Sequence, residues 1–131
     1  MVTGVAEGDT LYANVDGHLI RIRLAQIDAP EKALAFGRRS EQSLRELVGK
    51  KQVELAWKSL DRYGRPIAQL SVDGLDVNAE QVRRGFAWVF RRYSNDAALI
   101  ALEVQAKSAG LGLWGDSHPI QPWEWRNGRQ P

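Results

Sequence analysis

The chain contains no cysteine, so neither a disulfide framework nor a thiolate metal site is available to it. Histidine is nearly as scarce. His18 and His118 are the only two in 131 residues, and neither has a ligand partner at useful spacing. A bound metal would therefore rely on oxygen donors or on these two imidazoles. No apolar run approaches membrane-spanning length, and no signal-peptide hydrophobic stretch precedes the first strand-like segment. Charge of one sign is also lacking: the net charge is only +2, although the pI is about 9.2. A mild basic bias of that size is compatible with nucleic acid and does not demand it.

With 44% hydrophobic and 26% charged residues, the composition builds one real core and argues against disorder. No repeat or linker divides the chain, so one domain over 1–131 is expected, with 115–131 as a Pro- and Trp-rich tail.

"TLYANVDGHLIRIRLAQI" reads as a hairpin about Asp16-Gly17, a dipeptide that accepts the positive φ angles of a tight turn. Alternation places Ile20, Ile22 and Leu24 on one face and Arg21 and Arg23 on the other. Pro30 then removes a backbone donor and drives Ala29 out of helical geometry, so the strand should end there in a stiff turn bearing Asp28 and Glu31. A helix is expected within "FGRRSEQSLRELVG", with Leu44, Leu47 and Val48 inward and Gly49 past its end. "KKQVELAWKSL" alternates so as to bury Val53, Leu55 and Trp57, and "IAQLSV" runs back after the turn "DRYGRP". A second Asp-Gly turn falls at 73–74. "DVNAEQVRRG" predicts a helix with Asn78 as N-cap, Gln81 as capping-box partner and Gly85 as C-cap. "FAWVFRRY" reads as strand or extended chain. "NDAALIALEVQAKSAG" is helical, with Leu99, Leu102, Ala106 and Ala109 as its stripe and Glu103 four before Lys107. The fold class is α+β, mainly β. Some five strands and about three short helices fit a five-stranded Greek-key barrel of the OB type, though periodicity alone does not separate it from other α+β folds.

Polar clusters lie at element ends, where sites on rigid scaffolds form. Each alone has a plain reading: Asp9 as a turn acid, Asp28 and Glu31 as a solvated turn, Arg23 as an arginine on a sheet's wet face, "DRYGR" as a hairpin loop. Together they supply two hard oxygen donors, a third acid able to act as base, and two guanidinium forks suited to phosphate. With a metal, such a set would suit a phosphodiester hydrolase site, because phosphoryl chemistry mostly needs charge neutralised around the equatorial oxygens.

The succession "EGDTLYANVDGHLIRIRLAQIDAPE", "FG", "DRYGRPIAQLSVDGLDVNAEQVRRGFAWVFRRY" and "AGLGLW" resembles the staphylococcal (micrococcal) nuclease family, the thermonucleases, from about Glu7 to Trp114. The tail "PIQPWEWR" looks like one found in many bacterial members. The resemblance implies an OB-fold enzyme, a Ca2+-dependent endonuclease hydrolysing DNA and RNA, single-stranded or locally opened, to 3′-phosphate ends. It implies metal ligands at Asp9, Asp28 and the Ala29 backbone carbonyl, with Thr10 and Glu7 just outside them. It implies Glu31 as general base, Arg23 and Arg65 as phosphate clamps, and nucleotide contacts from Arg62, Tyr63 and Tyr93. Arg91 stands where the family's best-known member has another tyrosine. The family usually reads Asp-Gly-Asp-Thr where this chain has Glu7-Gly8-Asp9-Thr10, so altered metal affinity is expected. Localisation is open from the residues, while the resemblance points to export; a monomer without membrane or protein partner is expected, and the lead is shorter than the family's, which points to truncation. The alternative is a non-catalytic nucleic-acid- or protein-binding module on the same barrel. Arg83, Arg84, Arg91 and Arg92 form a basic group that either guides a nucleic-acid backbone or is simply solvated. Trp57, Trp88 and Trp114 are read as core.

Overall fold

The structure, a computed structural model, describes residues 1–31, 36–91, 94–116, 119 and 121–122. It opens on a three-stranded antiparallel meander: β1 (Val2–Glu7), β2 (Thr10–Val15) and β3 (His18–Leu24). The segment before Gly8 is thus a full strand, with Val2 buried opposite Ala13. Asp16 and Gly17 turn β2 into β3 with φ of 51° and 83°, as the Asp-Gly pair predicts.

The strand in "RLAQIDAPE" ends earlier than Pro30. β3 stops at Leu24, Gln26 takes a left-handed φ of 67°, and a separate two-residue strand, β4 (Ile27–Asp28), follows. Backbone bonds force the break. The Ala25 N–H is drawn to the Ala68 carbonyl, and the Gln26 carbonyl accepts the Phe90 N–H.

After α1 (Gly37–Val48), β5 (Glu54–Leu60) and β6 (Pro66–Val72) form a second hairpin. β6 joins β3 in parallel, pairing Ile67 with Arg23 and Ala68 with Leu24. The order is therefore β1-β2-β3-β6-β5, with β7 (Leu75–Asp76) beside β6. The sheet curls into a half-barrel with three helices, an α+β, mainly β architecture of the OB type. Leu11, Ile22, Leu24, Ile27, Leu44, Leu70, Val77 and Val82 are fully buried at its centre. α1 turns Leu44, Leu47 and Val48 inward, as its periodicity requires.

α2 (Val77–Arg83) starts before the expected cap. Asp76 is the N-cap, its carboxylate accepting the Ala79 N–H. Asn78 is instead buried inside the helix, where it receives the Leu70 N–H and donates to the Ala25 and Ala68 carbonyls. Two acceptable cap residues lay two positions apart, and the tertiary use of the second decided between them.

Trp57 is a second correction: it is 54% exposed. β5 ends the sheet order, and a register shift between Trp57 and Ser59 breaks the alternation on which its burial was argued. β8 (Trp88–Val89) pairs with β4, setting Trp88 opposite Asp28. α3 (Ala97–Ala109) buries Leu99 and Ala106, half-buries Leu102 and leaves Ala109 exposed; a short 3-10 helix (Gly112–Gly115) follows. Trp88 is buried and packs edge-on against half-buried Trp114 at 4.4 Å. Most of the 115–131 tail lies outside the described residues.

Candidate active site

The site begins at the reversal between β1 and β2. Glu7 pairs with Thr10, so Gly8 and Asp9 make the turn. Position 8 has room for nothing larger than glycine: a Cβ there would sit 1.7 Å from Ser40 Oγ and 2.9 Å from Ala29 Cβ. That close approach brings Asp9 against the Asp28–Glu31 turn. Asp9 Oδ2 accepts the Ala29 N–H at 2.7 Å, and Oδ1 accepts the Thr10 hydroxyl at 2.9 Å. Its backbone carbonyl takes the Leu24 N–H at 2.8 Å.

Thr10 pairs with Arg23 across the β2–β3 ladder, which sets the arginine beside this turn. Its guanidinium bridges both acids, with Nη1 3.3 Å from Asp9 Oδ2 and Nη2 3.3 Å from Asp28 Oδ1. Nη1 also donates to the Leu24 carbonyl at 2.9 Å. Both carboxylates are buried, and the shared guanidinium is the kind of partner that buried acids require. Glu31 is half-buried nearby. The Glu7 carboxyl is pushed above its ordinary value by burial, then by the Asp9 and Glu31 charges, against the pull of Arg23 and Arg21. Four acids thus share one locale with two arginines.

Arg65 closes the "DRYGR" loop. Asp61 organises it: Oδ1 accepts the Tyr63 and Arg65 N–H groups, each at 2.9 Å, while Oδ2 accepts from Arg65 Nε. Burial opposes ionisation of Asp61 most strongly, but these hydrogen bonds together hold its carboxyl below the usual range. Arg65 lies two residues before Ile67, the register partner of Arg23, so both arginines belong to the same end of the β3–β6 pair. Tyr63 is 73% exposed, with the Arg62 and Arg65 guanidinia 5.4 and 5.6 Å from its ring centre.

The remaining candidates are placed less centrally. Arg91 is tied to Glu103 of α3 at 2.7 Å. Arg83 pairs with Glu80, and Arg84 with Glu80 and Glu46, so this basic group is largely compensated. Tyr93, Arg92 and His118 lie outside the described residues. Sequence reasoning overlooked Asp61, although an acid two residues before a turn N–H is an Asx-turn signal. It read Glu103 only as the helical partner of Lys107, although that side chain is buried, and Gln81 as a capping-box residue, although its amide is fully buried and bonded to Gly8, Ser40 and Ser43 instead.

Among the described residues, no three His, Asp or Glu side chains gather closely enough to hold a metal alone. The donor chemistry nevertheless suits a hard cation. Asp9 and Asp28 share one guanidinium, two further acids stand close, and each carboxylate has more lone pairs than Arg23 can engage. A third protein ligand would have to be a backbone oxygen, and the Ala29 carbonyl adjoins Asp28 in the chain.

The protein family described as Staphylococcal nuclease homologue matches residues 21–116. An uncharacterized endonuclease of Haemophilus influenzae is 42% identical over 126 residues, covering 95% of this chain and 71% of that protein. An uncharacterized endonuclease of Escherichia coli O157:H7 is 41% identical, covering 96% and 83% respectively. A micrococcal nuclease of Shigella flexneri is 39% identical over 136 residues, covering 95% of this chain and 78% of that protein.

Proposed function

The chain belongs to the staphylococcal nuclease homologue family, and from that premise we propose that it is a Ca2+-dependent endonuclease hydrolysing DNA and RNA with little sequence preference. The observation that supports this reading best is the fork of Arg23 between buried Asp9 and Asp28, with Glu31 and Glu7 in the same field.

In this reading Asp9, Asp28 and the Ala29 carbonyl would hold calcium. The positive charge needed to offset that of the phosphate would come from the cation when it is bound. Arg23 and Arg65 grip the phosphodiester and stabilise the charge that grows on its equatorial oxygens during in-line attack. Asp61 engages Nε of Arg65, so the terminal Nη amines are the donors offered to the phosphate. Glu31 takes a proton from the attacking water as the new P–O bond forms. The bond to the 5′-oxygen breaks, that oxygen gains a proton, and the other fragment keeps a 3′-phosphate. Tyr63, exposed and flanked by two arginines, offers its ring face to a base or sugar.

Hydrolysis of single-stranded DNA with calcium and with chelator, for wild type and Glu31→Gln, tests the proposal. Wild type should cut only with calcium, and Glu31→Gln should lose about 10²–10⁴-fold in rate. Cleavage that survives both chelator and substitution would refute the mechanism. Binding without cleavage by the wild type would favour the non-catalytic module.

A further inference from the structure

Gln81 is a buried polar residue that helix α2 does not need. It is fully buried, and its side-chain hydrogen bonds all reach outside α2. Its Nε2 donates to the Gly8 carbonyl at 2.7 Å and to the Ser40 carbonyl at 3.1 Å, and its Oε1 accepts the Ser43 hydroxyl at 2.6 Å. A leucine would fill the same space without the cost of burying an amide. What the amide adds is a grip on the Gly8 carbonyl, 73 residues away in sequence.

That carbonyl belongs to the peptide plane leading into Asp9, and a planar peptide transmits its orientation directly to the next Cα. The plane leaving Asp9 is held by the Leu24 N–H, and its carboxylate by the Ala29 N–H and the Thr10 hydroxyl. Gly8 lies against Ser40 and Ala29, where an added Cβ would clash with both. We infer that Gln81 is a positioning residue for Asp9: by holding the Gly8 carbonyl it sets the backbone from which that carboxylate reaches the site. The effect on metal affinity rests on the metal assignment proposed above; the effect on Asp9 geometry does not.

Two measurements separate those claims: amide hydrogen exchange by NMR, and calcium binding by calorimetry. Both are made on wild type, Gln81→Leu and the core-cavity control Val82→Ala. In Gln81→Leu, the Ala29 and Leu24 amides, whose acceptors belong to Asp9, should exchange about tenfold faster relative to the slow amides of the β2–β3 ladder. Val82→Ala should accelerate all slow amides together. Calcium affinity should fall about 10- to 100-fold in Gln81→Leu and stay within about twofold in Val82→Ala. If Gln81→Leu does not fold, Ser43→Ala, which removes the donor to Oε1, makes the same comparison. Unchanged relative exchange at Ala29 and Leu24 would overturn the inference. Altered exchange with calcium affinity unmoved would overturn its link to the metal site. If the wild type binds no calcium, the metal assignment fails, and the exchange ratio alone decides the role of Gln81.

Discussion

Replacing Glu103 with alanine distinguishes two readings of one residue. By spacing, Glu103 and Lys107 are an ordinary i,i+4 pair on an exposed helix face, worth about 0.2–0.5 kcal/mol. In the fold, Glu103 is 2% exposed, and Lys107 Nζ is 3.5 Å away over the Trp88 and Trp114 rings. Its main partners are the Val89 N–H at 2.6 Å and Arg91 Nη2 at 2.7 Å. Truncation would leave the buried Val89 N–H without its acceptor, at about 1–3 kcal/mol, and remove a buried methylene worth about 0.8 kcal/mol. Arg91 and Lys107 are half-exposed and can return to water, and the carboxylate's own desolvation cost disappears. The expected loss is therefore about 2–4 kcal/mol, measured by urea unfolding at neutral pH. Glu103→Gln keeps an acceptor for Val89 and should lose only about 1 kcal/mol. The consequence reaches the site, because Val89 lies on β8 and β8 sets Asp28 through its pairing with β4. A loss below about 0.5 kcal/mol for Glu103→Ala would refute the reasoning and restore the surface-pair reading.

Three further outcomes follow from other parts of the fold. Gly85 and Gly74 share nearly the same φ, 83° and 81°, but a Cβ on Gly85 would lie 2.2 Å from the Leu111 carbonyl oxygen while one on Gly74 meets nothing. Gly74→Ala should cost about 1–2 kcal/mol and Gly85→Ala clearly more; equal unfolding midpoints would contradict the packing of the 3-10 helix against α2. The Arg83 hydrogen bond, then that of Arg84, holds the Glu80 carboxyl below its ordinary value of 4.5 against burial. A depressed folded value contributes stability above the unfolded pKa that is lost as pH falls through the folded one. The stability gap between wild type and Glu80→Gln should accordingly be present at pH 7 and shrink below about pH 4.5; a pH-independent gap would be the contrary result. Glu7→Asp, which restores the usual family acid, should shift the calcium dependence of cleavage, and an unchanged requirement would remove any role for the extra methylene.

Much of this was legible in local order. The Asp16-Gly17 turn, the inward Leu44, Leu47 and Val48 of α1, and the α3 helix follow from rules that act over a few residues. The residue types of the candidate site were legible as well, since three acids and two arginines suit phosphodiester chemistry by type, but their convergence was not. The less legible part has a common cause. Asp76 and Asn78 are equally good caps, and the chain uses Asp76 because Asn78 is taken by the Leu70 N–H and the Ala25 and Ala68 carbonyls. Trp57 alternates like a buried residue, but its strand ends the sheet order, and neither edge position nor a register shift is written in alternation.

By itself, then, the sequence determined the Asp-Gly hairpin, the helical segments, the fold class, and the family to which the chain belongs. It also confined any metal chemistry to oxygen or imidazole donors, since it offers no thiolate. Only the tertiary structure decided that Arg23 spans both Asp9 and Asp28, that Asp61 aims Arg65, and that Gln81 grips the turn before Asp9. The reason is physical. Propensity and periodicity act between neighbours in sequence, whereas a buried hydrogen bond can join residues 73 positions apart, and its worth depends on a burial that only the assembled fold creates.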